Sequence, residues 1–189
     1  MLLRSFVVFL LTVCAGCGAH SAAASRSSVP LSAREQMLFE DGADLLENPD
    51  VLQGSWKADY DRELDERIAA SDLVAVGVVT NVRSDLDPDG KTNFRLIFSV
   101  ERSLAGEADS KELSLTSLDG SAGSSSIRDD RAKLLQRPMV VFVKYGAGSD
   151  GAATAHFHLA LRSKSIEARV DESEARKRPS TVIVVETKN

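Results

Sequence analysis

Asp85, Asp87 and Asp89 stand at alternate positions ahead of Gly90, in the run D-L-D-P-D-G. Carboxylates so spaced can converge on one hard cation, and a glycine behind them permits the sharp turn of a calcium loop. The second half of such a loop is missing, because Leu96 stands where the bidentate glutamate belongs. Asp-Gly between two strands is also a hairpin signal. A solvated turn is therefore the first expectation and a calcium site the alternative; no other cofactor is implied. His156 and His158 lie two apart on a predicted strand, so both rings face one side, opposite Phe157 and Leu159. Two imidazoles on one face can begin a metal site, but zinc wants three or four ligands and no cysteine lies nearby. The expectation is a pair of surface histidines on the outer face of a sheet, with a metal-dependent binding or enzymatic domain as the alternative. Asp119-Gly120-Ser121-Ala122-Gly123 sets a serine between glycines without matching G-x-S-x-G, and no strand-to-helix elbow surrounds it. No catalytic residue is assigned, and the chain is read as a non-enzyme.

The remaining reactive side chain is a thiol. Arg4 precedes an apolar run over residues 6–13, followed by Cys14, Ala15, Gly16 and Cys17. A short basic region, an apolar stretch and small residues make a secretory signal, and the run is too short for a spanning helix. The placement of Ala15 and Gly16 before Cys17 resembles the processing site of bacterial lipoproteins, in which the thiol is diacylated before cleavage. Cys14 holds the position where an aliphatic residue is usual. Gly18, not aspartate, follows Cys17, which in the enterobacterial sorting scheme points to the outer membrane. The expectation is a lipid-anchored protein of the cell envelope, held to the bilayer by acylated Cys17. With Cys14 removed and Cys17 acylated, no disulfide is available.

The chain carries 23 basic and 28 acidic residues, a formal net charge of −5, and loss of Arg4 with the signal makes it one unit more negative. That balance disfavours nucleic acid, which wants a concentrated basic surface. Signal (residues 1–16) and tether (17–30, small and polar) leave roughly 160 residues, one ordinary domain. Its core must be aliphatic, since aromatic residues make up only 5% of the chain.

Residues 32–47 and 55–71 read as helices within a helical segment 31–71, broken by Asn48-Pro49-Asp50. In the second helix Tyr60, Leu64 and Ile68 share a face, Glu63 and Arg67 are spaced to pair, and Ser55 is the expected N-cap. Trp56 is expected to pack against the sheet, with a ligand-stacking platform as the alternative. After Ser71 the period changes from near four to two. Residues 73–82 form an apolar run with a bend or bulge at Gly77. Residues 93–104, 112–118, 139–145 and 155–162 read as further strands. A loop over 119–126 and a short helix through 131–136, opened by Asp129 and Asp130, separate the third strand from the fourth. A C-terminal segment, 164–189, adds a helix over 165–176 and an edge strand over 180–186. This order gives a mainly β fold: an OB-fold-like five-stranded Greek-key barrel over 72–163, with N-terminal helices and one helix between strands three and four.

The entry Asp72, Val74, Gly77, Val79, with Ser71 in place of alanine, resembles the "A-D-x-V-x-x-G-x-V" first strand of bacterial netrin/TIMP-like OB-fold domains. Val100, Leu104 and Gly106 match that family's "V-x-x-x-L-x-G", and residues 139–144 match its "Y-L-V-F-x-x" strand without the leading aromatic. The resemblance covers residues 70–162 and implies a barrel used for interaction. It does not carry over the zinc-chelating N-terminal cysteine of eukaryotic inhibitors, since an acylated Cys17 has a blocked amine. The function expected is a protein-binding module of the envelope whose partner is another envelope protein.

Overall fold

In a computed structural model, residues 29–147 and 153–177 are described. Cys17 and the edge strand expected over 180–186 lie outside them. The elements run α1 (Ala33–Leu38), β1 (Gly42–Asp44), a 3-10 turn (Pro49–Val51), α2 (Gly54–Ala70), β2 (Leu73–Leu86), β3 (Thr92–Ala105), β4 (Glu112–Ser117), α3 (Ser124–Leu134), β5 (Pro138–Ala147), β6 (Ala153–Leu161) and α4 (Lys164–Lys177). The fold is mainly β with helices, and all five expected strands are present.

The sheet and the first helix differ from expectation. The strands form one open six-stranded sheet in the order β1-β6-β5-β2-β3-β4, not a closed five-stranded barrel. The extra strand comes from the predicted helix over 32–47. A capping box, Ser32 with Glu35, starts α1, but the helix ends after six residues. Asp41 then takes a left-handed backbone (φ 58°), and Gly42–Asp44 pairs in parallel with His158–Ala160. β1 thus takes up part of the edge of β6 through which a barrel would close onto β4. All other neighbours in the sheet are antiparallel.

The sheet is buried on both faces, which explains why β2 and β5 read as nearly continuous apolar runs. Alternate residues divide between two cores. Leu73, Ala75 and Val79 of β2 join Phe98, Leu115, Phe157 and the α3 residues Ile127 and Leu134 on one face. Val74 and Val76 join Phe142 and residues of α1, α2 and α4, among them Leu38, Ile68 and Val170, on the other. The expected α2 face is present: Leu64 and Ile68 are buried and Tyr60 packs at their margin. The N-cap is Gln53, not Ser55, and it makes no side-chain cap bond. α3 starts at Ser124 and absorbs three serines of the expected loop, so Asp129 and Asp130 lie within it.

Glycines of the resembling motif have steric reasons. A Cβ on Gly77 would lie 2.0 Å from the Ser99 carbonyl oxygen, and the β2–β3 register shifts beside it, the expected bulge. Gly106 (φ 69°) approaches the Asp72 carbonyl, where a Cβ would sit 2.2 Å away. Asp72 itself accepts the Tyr145 backbone N–H at 2.8 Å and Lys144 Nζ at 3.0 Å, fixing β5 beside the start of β2.

Candidate functional site

The three aspartates of the D-x-D-x-D-G run are not gathered around one point. Asp85 is the last residue but one of β2 and faces Arg95 across the hairpin at 3.7 Å. Asp87 turns its carboxylate onto its own loop, accepting the backbone N–H groups of Asp89 (3.0 Å) and Lys91 (2.8 Å). Gly90 completes the turn with φ 79° and donates to the Asp87 carbonyl. This is the side-chain-capped turn that Asp favours. Among the described residues no group of three or more His, Cys, Asp or Glu side chains is placed to hold a metal ion.

His156 and His158 do share the face opposite Phe157 and Leu159, but they are not a solvent-facing pair. β1 and the helices cover that face, leaving His158 5% exposed and His156 half-buried. Two consecutive acids on the α1–β1 connection meet the two rings. Asp41 lies 3.2 Å from His156 Nδ1 and accepts the Phe157 N–H at 3.0 Å, while its own N–H donates to the Phe157 carbonyl. The left-handed backbone at Asp41 makes this clamp possible, because it turns peptide and carboxylate toward β6 together. Glu40 lies 3.7 Å from His158 Nδ1, a nitrogen that is buried without a hydrogen bond.

Arg67 completes the cluster from α2. Its Nε donates to the Leu38 carbonyl at 2.8 Å, satisfying an orphan acceptor at the end of α1, and its guanidinium lies 5.9 Å from the Phe142 ring centre. The expected Glu63–Arg67 ion pair is replaced by this inward contact. The electrostatics follow from burial and pairing. The hydrogen bond with Asp41 raises the His156 pKa. Burial, helped by the Arg67 charge, pushes His158 well below its ordinary value. Burial also raises the Glu40 carboxyl and lowers the Arg67 guanidinium. The arrangement is a polar latch joining α1, β1, α2 and β6, and it closes His158 off from any dissolved substrate.

Sequence reasoning missed Glu40, Asp41 and Arg67 as a unit, although Asp41-Gly42 is a turn dipeptide inside the predicted helix. The Ser121 hydroxyl faces Ser117 at 3.3 Å and its backbone begins the turn into α3. Gly123 abuts Gly42 so closely that a Cβ on either would lie under 3 Å from the other's backbone, which accounts for the glycine-rich loop as packing.

Two surface features remain. Trp56 does not pack against the sheet: it is 77% exposed on the first turn of α2, and Val51, on the preceding 3-10 turn, is 65% exposed. On the opposite core's margin, a cavity of about 230 Å³ opens where β4 faces the first half of β6. Leu113, Leu115, Val143 and Ala155 supply its apolar floor, and Asp109 and Glu112 stand at its rim. Searches of protein-family models, curated proteins and solved structures return no match to this chain.

Proposed function

We propose that this protein is a lipid-anchored component of a bacterial cell envelope, most consistent with the outer membrane, whose domain binds another envelope protein and performs no catalysis. Cys17 supplies the anchor in this reading, and residues 18–30 the tether. The observation that carries the binding role is Trp56. The chain's one tryptophan is held on a rigid helix with three quarters of its surface in water, beside exposed Val51. A large amphipathic ring presented this way buries much area at little conformational cost, which is why tryptophan dominates interface energetics.

The domain is further proposed to be a netrin/TIMP-like OB fold carrying an added strand. The order β4-β3-β2-β5-β6, with α3 between β4 and β5, supports that reading. Such a fold hosts many functions, so the binding role rests on the exposed ring and not on the topology. Among the described residues no helix is long and apolar enough to cross a membrane.

Cross-linking and pull-down from detergent-solubilised membranes tests the reading. Wild-type protein should retain a discrete partner, and Trp56→Ala should lower its recovery about tenfold, the effect of roughly 1.4 kcal/mol at a hot spot. No partner above background, or one retained equally by the variant, counts against it.

A further inference from the structure

Residues 29–39 lie over the second core as a short arm that ends with α1. Leu31, Leu38 and Phe39 are buried there, and Arg67 Nε donates to the Leu38 carbonyl. The remaining ties are slight. The Ala147 N–H donates to the Val29 carbonyl, and Arg34–Glu66 and Lys144–Glu35 are partly exposed ion pairs, which add little. The residues that follow are held from the other side. The Gly123 N–H donates to the Glu40 carbonyl, Asp41 clamps Phe157, the Ala43 N–H donates to Ser126 Oγ, and β1 pairs with β6. The arm can therefore swing at Phe39–Glu40 without disturbing the sheet, since β6 is paired along its whole length with β5.

Beneath the arm is a group that water would charge. The His158 ring lies near Phe142, with Nδ1 buried and unbonded and the Glu40 carboxylate 3.7 Å away. Charged and titratable neighbours come from the elements packed around it. α2 supplies Arg67, in whose field Glu63 and Tyr60 also lie, and the α1–β1 connection and β1 supply Glu40, Asp41 and Asp44. β6 adds His156, held by Asp41, and β5 adds Lys144, bound to Asp72. α4 buries only Ile166 and Val170. Charging the docked ring would bury a cation beside Arg67, whereas a ring released to water protonates near pH 6.5. The released state thus binds one more proton below that pH, and acid favours it. His156 does not oppose this, because Asp41 stays bound to it in both states. Glu40, raised by burial, gains its proton in the docked state nearer the carboxylate range, which ends the effect at about pH 5.

We infer that residues 29–39 form an acid-released strap, which lifts from α2 and β5 as pH falls from about 6.5 to 5 and uncovers the apolar face of Phe142, Leu64 and Ile68 while the sheet stays folded. Neither the lipid anchor nor the envelope partner enters this release.

Amide hydrogen exchange on the full chain, corrected for the intrinsic pH dependence of exchange, tests it. The Phe39 N–H, which donates to the Glu35 carbonyl, reports on the strap. It should open at least about tenfold more often than the amides of β2 and β5, as a local and not a global event. Its opening equilibrium should rise about fivefold from pH 6.5 to 5.5, the effect of one group that protonates near 6.5 only when released. His158→Leu should make the Phe39 amide insensitive to pH over this range. A Phe39 amide that opens no more often than those of β2 and β5 overturns the inference, since the arm then leaves only when the domain unfolds. So does a wild-type amide that shows no rise, or a rise that persists in His158→Leu. Should that variant fail to fold, Glu40→Gln decides the matter: the rise should remain and continue below about pH 5, and its loss overturns the inference.

Discussion

His158 is an imidazole held neutral by its surroundings, and that has a measurable cost. Its Nδ1 is buried without a hydrogen bond, with Phe142 at 6.4 Å between ring centres and Arg67 raising the local potential. In the unfolded chain the same ring protonates near pH 6.5. Because its folded pKa is depressed, the unfolded state binds more protons below that value, so this residue makes stability fall as pH falls. His156 acts with the opposite sign: its raised pKa adds stability at low pH that is lost as pH rises through the folded value. Glu40, also raised, adds stability on acidification but nearer the carboxylate range. Between about pH 6.5 and 5.5 the His158 contribution should dominate, with a limiting one-proton slope of about 1.4 kcal/mol per pH unit. His158→Leu removes both the proton and the unsatisfied nitrogen. Urea unfolding should show a flatter pH slope for this variant and a gain of about 1 kcal/mol over wild type at pH 5.5. A variant as steep as wild type would show that the ring is not the source.

At the scale of elements, the strands were legible because burial on a sheet face imposes period two, as in Phe94, Leu96 and Phe98. The helix α2 was legible through its apolar stripe. β1 was not, for a physical reason: three residues are too few to show a period, and the helical pattern of residues 33–38 ran into it without a proline. What specifies β1 is the Asp41 clamp, a long-range contact with Phe157 that no local pattern contains. The buried latch was illegible for the same reason, since alternation put both histidines on one face but could not show that three further elements cover it. Asp41→Ala should therefore act locally first. It strips the acceptor from the buried Phe157 N–H and removes a residue suited to φ 58°, at a cost of about 2–3 kcal/mol. Amides of Gly42–Asp44 should lose protection more than those of β2 and β5, and a uniform loss across the sheet would contradict the clamp.

For the whole molecule, the proposed lipid anchor sets the question of which end of the domain would face a bilayer. The Val29 carbonyl accepts the Ala147 N–H at 3.0 Å, so the chain leading from Cys17 reaches the domain at the end of β5. The C-terminal end of α2 lies at that same end, through Asp72 and Tyr145. Trp56, fourteen residues back along α2, stands about 20 Å toward the other end. Anchoring through acylated Cys17 would then turn the exposed ring away from the lipid and toward a partner. Cys17→Ser, or globomycin, should move the protein out of the membrane fraction without changing the folded domain. Because the chain has a single tryptophan, its fluorescence reports the orientation directly. In the lipidated protein reconstituted into vesicles, aqueous iodide should quench the emission strongly and brominated acyl chains should not. Efficient quenching from the bilayer would place Trp56 against the membrane and make it part of the attachment, leaving the proposed protein partner without its anchor residue.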